Sequence, residues 1–295
     1  MEYNEFLEEI VRLIRQRVDA DTQVSVNRVL KNNQDRAYSL AILRQDENIS
    51  PAICMNSYYG QYLRGVRMET IADQVMSCYY GSRRGGKFDI SYYTDFERVK
   101  GEIFCKLVSY EKNQYLLNLV PHRRFLDLAV VYYYKLEDPL IGKASILIQN
   151  AHLELWNVEE DTLQHLADVN TQHLLPYEFL GIDEMMTRIT GHEMIQDYPE
   201  VVKLYVLTNA EQYYGAVNMI FGSVLEEIYQ RLGNNFYILP SSIHECMVLA
   251  AEGSWTPEEL RIMVREINRE CVDESEILGE SVYLYDGEKK KVEMA

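Results

Sequence analysis

Ser241, Ser242, His244 and Glu245 gather two hydroxyls, an imidazole and a carboxylate directly after Pro240. A serine can act as a nucleophile when a histidine takes its proton and an acid orients the ring. Glu245 or Asp127 could supply that acid, and Asn209 a further polar group, so Ser241, Ser242, His244, Glu245, Asn209 and Asp127 form one candidate site. The same residues also have a structural reading. Neighbours in extended chain point to opposite sides, and a serine two or three positions from a histidine ordinarily bonds a turn.

Other motifs point to less. His192-Glu193 and His244-Glu245 each begin a zinc-hydrolase pattern, but Gln196 and Val248 stand where the second histidine is needed. G-x-S-x-G is absent, which removes the nucleophile elbow. His165 and His173 lie too far apart to share the turn-to-turn spacing of helix ligands. Gly81 to Phe88, GSRRGGKF, matches the opening of a phosphate-binding loop, yet Phe88 replaces the hydroxyl that would hold magnesium, and the preceding segment reads as helix. Arg83, Arg84 and Lys87 remain a cationic island and a candidate anion-binding loop. Cys54, Cys78, Cys105, Cys246 and Cys271 are scattered without a C-x-x-C pair, against both a disulfide framework and a cysteine zinc site. No metal and no cofactor is expected.

The 29 Lys+Arg and 46 Asp+Glu residues give a net charge of −17, which repels phosphate backbones and anionic lipid. Direct nucleic-acid binding and membrane association are therefore disfavoured, while a partner protein with a basic surface is compatible. A 47% hydrophobic content provides for a packed core. The acidic start MEYNEFLEEIVRL lacks the features of a signal or transit peptide, and no apolar run reaches membrane-spanning length, so a cytoplasmic protein is expected.

Around these residues the pattern predicts a scaffold. Phe6, Leu7, Ile10, Leu13 and Ile14 recur at helical spacing, with the helix ending near Val18 or Asp19. Strands are expected at Val24 to Leu30, Tyr38 to Leu43 and Ala52 to Met55, then helices over Glu69 to Tyr80 and around Phe96, Val99, Ile103 and Leu107. Leu126 to Tyr134 reads as a buried strand beside Ala144 to Ile148. Asn157 is expected to cap a helix carrying Leu163, Leu166 and Ala167. Val202 to Leu207 and Gly215 to Ile220 read as strands, and Ser223 as the cap of a helix ended by Gly233. Phe236 to Leu239 is a core strand stopped by Pro240, with Cys246 to Ala251 returning antiparallel. Thr256-Pro257-Glu258-Glu259 is a capping box with proline at the first helical position. Val282 to Tyr285 and Asp286-Gly287 suggest a closing edge hairpin. The fold class is α+β: mixed, largely antiparallel sheets with packed helices, in two subdomains, an N-terminal α+β unit over 1–115 and a C-terminal one over 116–295.

VLTN from Val206, YGAVNMIFGSVLEEIYQRLGNNFYILPSSIHE from Tyr214, DLAVVYYY from Asp127 and the helix ending in Val169-Asn170-Thr171 together resemble an uncharacterised family of cytosolic proteins from anaerobic Gram-positive bacteria, known only as a domain of unknown function. The strand, YGA, helix and L-x-x-P order is more remotely similar to the YtpQ-like bacterial family, which tends to carry an Asn-Arg-Asp type turn where this chain has Ser241 to Glu245. The resemblance implies a fold and a cytosolic compartment and carries over no catalytic residue. Two functions follow: a non-catalytic binding or regulatory protein acting on another protein through an acidic, tyrosine-rich surface, or a small hydrolase built on the 241–245 corner.

Overall fold

Phe236–Leu239 pairs with a strand on each side, as an apolar run closed by a proline requires of an interior strand. In the computed structural model, which describes residues 1–191, 203–240, 242–252 and 255–295, the chain forms two compact units. One comprises residues 1–94 with 136–144, the other 95–135 with 145–295. The architecture is α+β, with open and mostly antiparallel sheets.

The first unit opens with α1 (Tyr3–Arg15), whose buried Phe6, Leu7, Ile10, Leu13 and Ile14 form the stripe predicted by their spacing. It stops at Arg15, short of Val18. β1 (Gln23–Lys31), β2 (Gln34–Leu43) and the very short β3 (Ile53–Cys54) make an antiparallel sheet in that order. α2 (Asn56–Leu63) has no counterpart in the sequence reading: NSYYGQYL buries no residue fully, so it carries no apolar stripe to read. α3 (Met68–Ser82) packs Ile71, Val75, Met76 and Tyr79 into the same core as α1. A single turn, α4 (Ser91–Thr94), follows.

The second unit corrects one expected helix. After α5 (Phe96–Val99) and a 3₁₀ turn at Lys100–Glu102, residues Ile103–Ser109 form strand β4. Every residue of β4 except Lys106 is buried, and a run apolar on both faces fits a helix stripe and an interior strand equally well. α6 (Gln114–Leu117) precedes β5 (His122–Phe125), β6 (Leu128–Asp138) and β7 (Gly142–Leu147). β6 lies between β4 and β5 and also pairs with β7. It starts at Leu128 because Leu126, with φ of 56°, and Asp127 form the turn between Phe125 and Leu128.

α7 (Asn150–Trp156) ends at Asn157, which adopts a left-handed φ of 53°. Asn157 is thus a C-cap rather than the expected N-cap, and α8 (Glu160–Leu174) starts from Glu159. β8 (Tyr177–Gly181), α9 (Ile182–Thr190) and β9 (Leu204–Asn209) follow. Gly215–Ile220 is a 3₁₀ helix, not a strand, closed by Asn218, whose amide donates to the carbonyls of Thr208 and Gly215 at 3.0 Å each. Ser223 lies inside α10 (Gly222–Leu232), which begins from Phe221, and Gly233 ends it at φ 77°.

β10 (Phe236–Leu239) and β11 (Cys246–Ala250) form the expected antiparallel pair. α11 (Pro257–Cys271) starts in the expected capping box, with the Glu259 N–H donating to Thr256 Oγ1 at 3.3 Å and the Thr256 N–H to Glu259 Oε2 at 2.8 Å. β12 (Tyr283–Asp286) and β13 (Lys291–Met294) close the sheet as a hairpin, in the order β13-β12-β10-β11-β9-β8. Among the described residues no helix is long and apolar enough to cross a membrane.

Candidate functional site

The corner is built from the end of β9. Asn209 is buried, and its side chain holds the following loop at three points: Nδ2 donates to the Tyr213 carbonyl at 2.9 Å, while Oδ1 accepts from the N–H groups of Glu211 at 3.1 Å and Tyr213 at 3.2 Å. Two loop residues, Gln212 and Tyr214, take left-handed φ values of 53° and 58°. For a tyrosine that conformation is costly and persists only where its surroundings enforce it. Gly215 is required next, because a Cβ there would fall 2.4 Å from Thr208 Oγ1 and 2.6 Å from the Asn209 nitrogen.

His244 completes the enforcement. Its Nδ1 accepts the Tyr214 N–H at 3.2 Å, and its carbonyl accepts the Thr208 hydroxyl at 2.9 Å. A ring that accepts at Nδ1 carries its proton at Nε2, and Nε2 faces Glu276 Oε1 at 3.5 Å. The imidazole lies parallel to the Tyr214 ring, 5.6 Å between centroids, with Tyr213 against both at 3.9 and 5.1 Å. The Tyr213 hydroxyl donates to that of Tyr214 at 2.9 Å, which locks the aromatic pair.

Beneath Tyr214 lies Lys106, the one residue of β4 that is not buried outright. Its ammonium sits 4.0 Å from the Tyr214 ring centroid and 5.8 Å from that of Tyr133. A cation over an aromatic face is held by about 0.5–2 kcal/mol. Burial nonetheless lowers the Lys106 ammonium from its ordinary 10.5 to about 8. The Tyr133 and Tyr214 phenols are displaced upward, mainly by burial, and stay protonated. Phe104, Tyr133 and Leu175 form the buried floor.

The other sequence candidates are distributed around this arrangement. The Ser242 hydroxyl accepts the backbone N–H of His244 at 3.1 Å, a turn bond rather than a contact to the ring. Ser241 lies outside the described residues, as do His192, Glu193 and Val202. Burial raises the Glu245 carboxyl, against a smaller lowering by His244. Asp127 accepts hydrogen bonds from Ser281 at 2.6 Å and from Tyr283, so its carboxylate serves a separate network. Asn209 and His244 are thus brought together, and the carboxylate that meets the ring is Glu276. Arg83 is paired with the buried Glu47 at 2.7 Å, while Arg84 and Lys87 are exposed. Gly81 belongs to α3, a helical context unlike that of a phosphate-binding loop.

Sequence reading missed Lys106, Tyr133, Tyr213, Tyr214 and Glu276. One signal was present: a lone lysine inside the apolar run IFCKLV. Chemically, the corner offers an ammonium, phenol donors, an imidazole and an exposed aromatic face. Among the described residues no group of three or more His, Cys, Asp or Glu is placed to hold a metal ion.

No curated protein and no solved structure matches the chain. A family model described as "Family of unknown function (DUF5688)" matches residues 3–287, nearly the whole sequence, and the chain belongs to that family.

Proposed function

We propose that this is a cytosolic, non-catalytic binding or regulatory protein that engages another protein through an acidic, tyrosine-rich surface at the Tyr213–His244 corner. One observation carries the reading: three of the polar side chains that could have done chemistry, Asn209, Ser242 and His244, are committed to the protein's own backbone. Asn209 makes three such bonds, Ser242 accepts the His244 N–H, and His244 Nδ1 accepts from Tyr214. What remains outward is the Tyr213 ring, 39% exposed and backed by two further rings. A rigid aromatic with a polar tip is the side chain that recurs at the energetic centre of protein interfaces. Glu276, with a 46% exposed side chain, stands beside it and, with the net charge of −17, favours a basic partner. Cysteine usage without pairing supports the cytosolic setting.

The test is affinity purification from the native host with wild type and Tyr213→Ala side by side, followed by titration of the purified partner. The expected result is a partner retained by wild type, weakened at least about tenfold by Tyr213→Ala and weakened by salt. Turnover of ester or phosphoester substrates by wild type and not by His244→Ala, at unchanged folding, would establish the hydrolase instead.

A further inference from the structure

Lys106 has no counter-ion among the described residues. Among the described residues no carboxylate pairs with its ammonium and no acceptor takes its three N–H groups; its contacts are the faces of Tyr214 and Tyr133. This occurs in a chain with 46 acidic against 29 basic residues. Lys135, on the same face of β6 as Tyr133, is paired with Glu211, so carboxylates do reach that face. A second group in the cluster is equally unmet: the Tyr133 hydroxyl is buried, at 1% residue exposure, and has no hydrogen-bond partner among the described residues. Tyr132 also carries an unmet hydroxyl, so a lone buried phenol is not itself distinctive. The combination with an unpaired cation is. Above both groups Tyr214 is kept in its left-handed conformation by the His244 acceptor and by a loop fixed through Asn209. Strain maintained in this way marks places where geometry serves something other than stability.

We propose that Lys106 and Tyr133 form the binding site of a small oxyanion, a carboxylate or a phosphate, walled by the ring of Tyr214. The requirements match. An oxyanion supplies negative charge and several acceptors, and the site offers an ammonium and a phenolic O–H but no competing carboxylate. Lys106 is partly exposed, and the deeper Tyr133 limits the ligand to a small group. With its ammonium near 8, Lys106 retains its charge at neutral pH. The site stands independently of the partner surface proposed above, since Tyr213 carries that surface and Lys106 this one.

The test is calorimetric titration of the full chain with inorganic phosphate and, in a separate arm, with acetate, which distinguishes the two sources of the oxyanion. Wild type and a Lys112→Met control, altered at an exposed lysine outside the cluster, should bind one of the two saturably, with a Kd of about 1 mM or tighter. Lys106→Met and Lys106→Gln should each weaken that binding at least about tenfold, and Tyr133→Phe about three- to tenfold, with circular dichroism unchanged. Absence of saturable binding of both anions, or equal binding by a folded Lys106 variant, would overturn the proposal.

Discussion

The two faces of the β4–β6 strand pair handle charge in opposite ways. On one, Cys105 lies opposite Tyr132, and the neighbouring Arg123 grips Asp168 with two nitrogens at 2.7 Å each. Asp168 Oδ1 also accepts the Cys105 thiol at 3.7 Å, Thr171 Oγ1 accepts the Cys105 N–H at 3.0 Å, and burial pushes that thiol up to about 12. On the other face Phe104 lies opposite Tyr133, and Lys106 points among aromatic rings with no carboxylate paired to it among the described residues. The difference teaches that burial alone does not identify a site: a buried charge with its partner present reads as architecture, and one without reads as a place held open.

Breaking the paired face should have the largest effect. Asp168→Asn leaves Arg123 half-buried without a counter-charge and should lower stability by about 2–3 kcal/mol, measured as a reduced urea midpoint at constant slope. Asn209→Ala removes the three bonds that hold the Tyr213–Tyr214 loop and should lower stability by about 1–3 kcal/mol. Because it frees Tyr214, it should also weaken anion binding without touching Lys106.

Lys106→Met should move the opposite way, raising stability by about 1–2 kcal/mol at pH 7, a figure reduced for the partial exposure of the amine. The sign follows from linkage. The ammonium titrates near 8 when folded and near 10.5 when unfolded, so between those values the unfolded chain binds more protons and rising pH stabilises the wild type. The advantage of Lys106→Met should therefore shrink from pH 8 to pH 10.5. An advantage that does not change with pH would mean that Lys106 is charged alike in both states and that the two faces do not differ as described.

Ser242→Ala should have the smallest effect, about 0.5–1.5 kcal/mol, for one turn bond. His244→Ala belongs between it and Asn209→Ala, and a double variant losing less than the sum of the single losses would show that both serve one network.

The parts of the fold that were legible are those whose chemistry is local. β10 is bounded by Gly233 and Pro240, and α11 is started by Thr256 and Glu259, so neighbours in sequence supply each stop and cap. Misreadings occur where a local rule had two solutions. An asparagine caps either end of a helix, and Asn157 fell on the C-terminal side; Ile103 and Leu107 satisfy helical spacing yet lie in a strand buried on both faces. The site was legible only in part for a further reason. Asn209 and His244 stood out as polar residues beside apolar runs, but Lys106, Tyr133, Tyr214 and Glu276 come from four distant stretches and meet only through sheet pairing and the turn after β9.

The Asp127 clasp bears on how the second unit is assembled in time. Its two donors, Ser281 and Tyr283, lie 154 and 156 positions further along the chain, whereas the β5–β6 turn that presents Asp127 needs only immediate neighbours. Closure over such a separation needs both the β5–β6 hairpin and β12 in place, which makes late formation of the clasp the expectation to test. For such a late latch, Asp127→Asn should accelerate unfolding in stopped-flow denaturant jumps and leave the folding rate nearly untouched, so that the clasp governs the lifetime of the native state; an equally slowed folding rate would place the clasp in the transition state instead.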